Sequence, residues 1–193
     1  MFRLIAVAAL MGGPLFASED IADQYPASEL YSKPVEVIPH VFSAIGATAP
    51  PTYENSGHNN NLSFIVTGDG VIVVNGGAAY GLAKALHDEI RAITDQPVKL
   101  VFNENGQGHA VLGNNYWAEQ GIPVVAHQDA AHEVEERGTS LLEGMKKYNR
   151  DKAEGSSKGT LEKDSTLQIM GKRGAWYQVR SKESGQEGYV KAD

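Results

Sequence analysis

NLSFIVTGDGVIVVNGG, residues 61–77, decides the fold. Two β-rich apolar runs, 62–67 and 71–75, flank Gly68-Asp69-Gly70, a turn sequence that supplies the backbone freedom a tight hairpin needs. The second run closes on Gly76-Gly77, and after it the period changes. From Tyr80 onward Leu82, Leu86, Ile90 and Ile93 recur at helical spacing, with Lys84, Asp88, Glu89 and Arg91 between them. That pattern predicts an amphipathic helix, ended before Pro97. A hairpin feeding a helix through a Gly-Gly corner is the start of a layered α/β unit, in which helices pack on a sheet.

The pattern continues in both directions. Upstream, residues 35–38 and 41–42 alternate enough to read as a strand pair or one bent strand, and 48–61 reads as loop. Downstream, 98–102 predicts a short buried strand, 111–120 a helix closed by Gly121, and 122–126 another strand. A long helix follows over 128–149, with Ala131, Val134, Leu141, Met145 and Tyr148 on one side. Composition then shifts at 151–159, a charged Gly/Ser segment read as a linker. Beyond it, residues 160–193 hold short strand runs separated by Gly-bearing turns, too few residues to fold alone as a rule.

Composition limits the functions open to the chain. Its 193 residues, 41% hydrophobic, suffice for one medium core plus a small module. The first 17 residues carry Arg3, an apolar run broken by Gly12-Gly13-Pro14, and Ala17 before polar Ser18-Glu19-Asp20. This is a signal-peptide pattern, too short and too interrupted for an anchor, so export to the periplasm or beyond is expected, without membrane insertion once the segment is removed. Its loss takes away Arg3 and shifts the formal charge from −7 to −8. An acidic chain of this kind is a poor partner for nucleic acid. The absence of cysteine excludes a disulfide framework, thiolate ligands and a cysteine nucleophile.

Residues 61–77 together with "LHDEIRAITDQPVKLVFNENGQGHAVLGNNYWAEQGIPVVAH" (86–127) resemble the N-terminal half of the metallo-β-lactamase-fold hydrolases, particularly their exported members. The likeness spans roughly 35–149 and implies half of a layered αβ sandwich, leading domain boundaries of 1–17 signal, 18–34 leader, 35–150 metallo-β-lactamase-like and 151–159 linker. In that family a loop His-x-His-x-Asp-His holds one or two zinc ions, because alternate loop residues project to one side of a rigid sheet edge. Here Asn105 and Gln107 stand at the first two His positions, His109 at the Asp position and Ala110 at the last His, while Asn75 stands where the hairpin Asp is usual. Neutral amides are poor zinc ligands and Ala is none, so the resemblance implies a degraded metal site in which His109 is the remaining metal candidate. The ligands that the family draws from its second half have no counterpart before the linker begins.

Each candidate has a plainer alternative. His109 reads as lone ligand, general base or hydrogen-bonded loop residue. His58, in an Asn-rich loop before the hairpin, reads as facing a ligand or as ordinary turn chemistry. His127 and His132 are five apart and do not share a helical face. Asn105, Gln107, His109 and His58 are therefore the pocket candidates, for a small polar molecule. The tail, 160–193, resembles the C-terminal part of a bacterial Src-homology-3-like (SH3-like) domain through Trp176-Tyr177-Gln178-Val179 and Gly188-Tyr189-Val190. That likeness implies a small all-β unit in which Trp176, Tyr177 and Tyr189 are candidates for binding cell-wall peptide. Three functional readings stand at this point: a diverged hydrolase, a noncatalytic binding module, and a truncated or chimeric product without a function of its own. An incomplete sandwich leaves a sheet face uncovered, so self-association is expected as well.

Overall fold

The computed structural model describes Tyr25, residues 28–159, and the backbone of three strands beyond them. The proposed signal segment, most of the leader and the side chains of 160–193 lie outside the described residues. The chain opens with an antiparallel meander, β1 (Val35–Ile38), β2 (Val41–Ala44), β3 (Leu62–Val66) and β4 (Val71–Val74). Helix α1 (Tyr80–Ile93) then crosses to β5 (Val98–Asn103), which lies parallel to β4. Two short helices, α2 (Gly108–Val111) and α3 (Asn114–Glu119), lead to β6 (Val124–Ala126), parallel to β5. Helix α4 (Gln128–Asn149) and a 3-10 turn at Arg150–Ala153 complete this part. The six strands form one mixed sheet in sequential order, the layered α/β arrangement expected from residues 61–77 and their flanks.

Register decides which residues meet the helices. Phe64, Val73 and Val101 are paired across β3, β4 and β5, and all three are fully buried. They share a core with Leu82, Leu86 and Ile90 of α1, Trp117 of α3 and Met145 of α4. Phe42 stacks on Phe64 with ring centroids 5.0 Å apart, extending that core onto β2. The residues between them in sequence form two rows on the other face, Ile38–Val41–Ile65–Ile72–Leu100 and Val35–Ser43–Ser63–Val74–Phe102–Val125. Ile38 is 62% exposed and Phe102 43% exposed, so the sheet has one covered face and one open face.

One local feature departs from the sequence-based expectation. The helix expected over 111–120 is two helices with a break at Leu112-Gly113. Gly113 donates its N–H to the Gly77 carbonyl at 2.9 Å, and a Cβ on it would stand 2.5 Å from the Gly76 oxygen. The chain there is drawn against the Gly76-Gly77 corner, which interrupts a continuous helical ladder. Residues 151–159 run back over the helices. Ser156 Oγ accepts from the Tyr80 N–H at 2.9 Å, capping α1, whose own preceding residue, Ala79, has no side chain able to do so. Gly155 lies against the Tyr80 ring and Gly159 against Val111, both at positive φ, where a side chain would be strained and would collide.

Beyond Gly159, β7 (Leu167–Arg173), β8 (Trp176–Ser181) and β9 (Glu187–Lys191) form a separate three-stranded antiparallel sheet. No helix among the described residues is long and apolar enough to cross a membrane.

The α1 assignment makes a direct prediction. Leu86→Ala removes a fully buried side chain from the face packed on the sheet, and stability in urea falls by about 2–5 kcal/mol. Exposed Lys84→Ala on the same helix changes stability by less than about 0.5 kcal/mol.

Candidate functional site

Strand β4 ends at Asn75, whose φ of 71° is left-handed, a conformation that Asn tolerates better than most side chains. The turn aims its side chain at the end of β5. Asn75 Nδ2 donates to Glu104 Oε1 at 3.1 Å, and the Glu104 N–H donates to Asn75 Oδ1 at 3.1 Å, a reciprocal clamp between the two parallel strands. Gly76 follows and collects contacts from every nearby element. Its N–H is shared between Ala110 O at 2.7 Å and Asn103 Oδ1 at 2.9 Å, and its carbonyl accepts from Trp117 Nε1 at 3.0 Å. Asn103 Nδ2 in turn donates to Asn114 Oδ1 at 3.0 Å. Asn75, Asn103 and Asn114 are all buried, and a Cβ on Gly76 would stand 2.1 Å from Asn114 Oδ1. Only glycine fits at that corner.

The loop carrying the candidate residues leaves from this clamp. Asn105, half-buried, accepts from the Gln107 N–H at 2.8 Å through Oδ1, a side-chain turn that leads the backbone into α2. Gln107 is exposed and precedes α2, its carbonyl accepting from the Ala110 N–H at 2.9 Å. His109 is half-buried in the short helix α2. Burial holds its pKa below the ordinary histidine value, opposed by the negative charges of Glu104 and Glu133. Glu133 reaches the loop from α4, where its side chain lies against Gly106. The chemistry around the loop is therefore a half-buried imidazole within the electrostatic reach of two carboxylates, with the Asn105 amide tied into the backbone. Sequence reasoning missed Glu133, Asn114 and Trp117, since nothing in the local pattern marks residues that arrive from α3 and α4.

His58 belongs to a different environment. It is fully buried; Nδ1 accepts from the Tyr31 N–H at 2.9 Å, and its own carbonyl accepts from the Ala47 N–H at 2.8 Å. Nε2 has no hydrogen-bonded partner of normal geometry. Burial pushes its pKa down to about 4, only partly offset by the backbone groups of Ala44 and Asn60. Its contacts order the 48–61 loop, and Lys152 does the same from the far end of the domain, donating to Tyr53 O and Ser56 Oγ at 2.9 Å each. Of the tail candidates, Trp176 and Tyr177 stand on β8 and Tyr189 on β9, and their side chains lie outside the described residues.

Zinc would need about three donors converging on one point. Among the described residues no three His, Asp or Glu side chains stand close enough to hold a metal ion. Asn105 Oδ1 is already engaged with the backbone, and Ala110 is buried with nothing to donate. The residues at the family's ligand positions do not fit the metal.

No family model matches the chain, and no curated protein matches it. Solved structures with a similar arrangement include a metallo-beta-lactamase from Pontibacter korlensis, 18% identical, covering 76% of this chain and 58% of that one at a TM-score of 0.44. The mono-zinc form of the metallo-beta-lactamase FIM-1 from Pseudomonas aeruginosa is 13% identical, covering 54% of this chain and 46% of that one at a TM-score of 0.45. A metallo-beta-lactamase from Erythrobacter litoralis is 12% identical, covering 78% and 55% at 0.45. The chain spans about half the length of these proteins.

Two outcomes follow from the buried network. Trp117→Phe keeps the ring but removes the donor to the Gly76 carbonyl, and unfolding in urea shows a loss of about 1–3 kcal/mol. Acid lowers stability through His58. Its folded pKa lies below its unfolded value, so the unfolded chain binds the proton first, and stability falls as pH drops from about 6.5 to about 4. That contribution, on the order of 3 kcal/mol, is fully present above the window, and His58→Gln makes the stability–pH curve shallower within it.

Proposed function

We propose that this chain is an exported relative of the metallo-β-lactamase-fold hydrolases whose loop over 103–110 recognises a small polar ligand instead of hydrolysing one. The observation that carries the proposal is the conversion of the loop base into an amide clamp. Asn105, at a position where the family resemblance expects a zinc ligand, holds the Gln107 backbone, and Asn75, where the hairpin Asp is usual, holds Glu104. A hydroxide generated at neutral pH requires a cation with an open coordination position, and this donor set does not hold one. What the loop offers is recognition chemistry: the exposed Gln107 amide, the half-buried imidazole of His109, and the carboxylates of Glu104 and Glu133. Such a set orients a ligand with hydrogen-bond donors or a positive charge. The tail remains a candidate for cell-wall peptide, on the strength of its SH3-like sequence pattern alone.

A metal-binding measurement decides between this reading and the hydrolase reading. After loading with zinc and dialysis, the protein retains well below one zinc per chain and hydrolyses neither β-lactam nor ester. Its His109 ring resonances shift on titration with cationic amino-acid amides, and Gln107→Ala weakens that response. Tightly held stoichiometric zinc that vanishes in His109→Ala would restore a metal enzyme and overturn the proposal.

A further inference from the structure

We propose that the open face of the six-stranded sheet is a contact surface between two copies of this chain, packed sheet to sheet. The face is continuous. Ile38, Val41, Ile65 and Ile72 pair across β1 to β4 in one row, and Val74 and Phe102 lie beside them in the next. Ile38 and Phe102 are exposed, and the others are partly exposed. The polar residues within the rows satisfy each other, since Ser43 Oγ and Ser63 Oγ form a hydrogen bond of 2.9 Å. They neither forbid apolar contact nor demand a polar partner.

Charge bears on which surface two copies could share. The chain carries a formal charge of −7, so two copies repel over most of their surface. The two rows contain no ionisable residue. A two-fold contact sets a patch against itself, which for a charged patch brings like charges together and for this one brings none. On this face, copies of an acidic chain meet without setting like charges directly against each other.

Area sets the strength. Six strands about 4.8 Å apart, each contributing roughly four residues of ~3.3 Å, give a flat footprint of about 380 Å² per copy. Side-chain relief raises the accessible area, and two copies together bury on the order of 1,000 Å², at the low end for a specific interface. An interface of that size is expected to give a weak dimer. Sheets packed about 10 Å apart would place the helices on the two outer sides, a helix–sheet–sheet–helix assembly.

Sedimentation equilibrium from low micromolar to millimolar protein tests this. The expected result is a monomer–dimer equilibrium that Phe102→Lys weakens at least tenfold. Ile38→Lys, on the exposed edge strand, must give the same loss, so a folding defect in one variant leaves the other decisive. The absence of native cysteine allows one nitroxide label at Phe102→Cys. The label should be mobile in dilute solution and become immobilised with the same concentration dependence as the dimer. A monomer throughout the range would overturn the proposal, as would a dimer that both lysine variants leave intact. So would a label immobilised at every concentration in a monomer, which would assign the cover to another segment of the same chain.

Discussion

The peptide unit of Gly76 is the constraint on which the domain turns. Its N–H serves Asn103 and Ala110, and its carbonyl serves Trp117, so the ends of β4 and β5, helix α2 and helix α3 all meet at one residue without a side chain. Gly113 presses on the same corner from the other side, which is why α2 and α3 cannot merge. In a buried, low-dielectric setting each satisfied group strengthens its neighbours, and each unsatisfied one is costly. The network therefore holds the backbone of the candidate loop more firmly than local sequence propensity would.

That firmness shapes what the loop can do. Both side-chain atoms of Asn75 are engaged with Glu104, and the oxygen of Asn105 is engaged with a backbone amide. These groups set geometry and are not available as a set of donors for a cation. The remaining groups are of another kind: the exposed Gln107 amide, and the half-buried His109 imidazole, whose pKa burial holds below the ordinary value against the charges of Glu104 and Glu133.

The same economy of support appears at the far end of the domain. Lys152 reaches the 48–61 loop, and Ser156 caps α1, so a stretch rich in Gly, Ser and charge is bound into the fold by these two side chains. The sheet is thereby well supported on its helix side, while its opposite face rests on cross-strand pairs. The asymmetry follows from topology: every crossover from β4 onward lies on one side.

Much of this was legible in the residues alone. The hairpin over 61–77, the Leu82–Leu86–Ile90 stripe of α1, and the long α4 follow from periods of two and 3.6, which local pattern encodes directly. That Asn105, Gln107 and Ala110 stand where the family resemblance expects ligands is likewise a reading from residue type alone. Other features were decided only by tertiary structure. His58 read as a loop residue facing a ligand or making a turn, and its burial was settled by how its loop packs on Tyr31 and Ala47. Glu133 joined the loop, Trp117 found Gly76, and residues 151–159 packed against α1, each through contacts between segments distant in sequence. Local pattern specifies which surface of an element is apolar. Which polar group meets which depends on how the elements are brought together, and that is where the site is made.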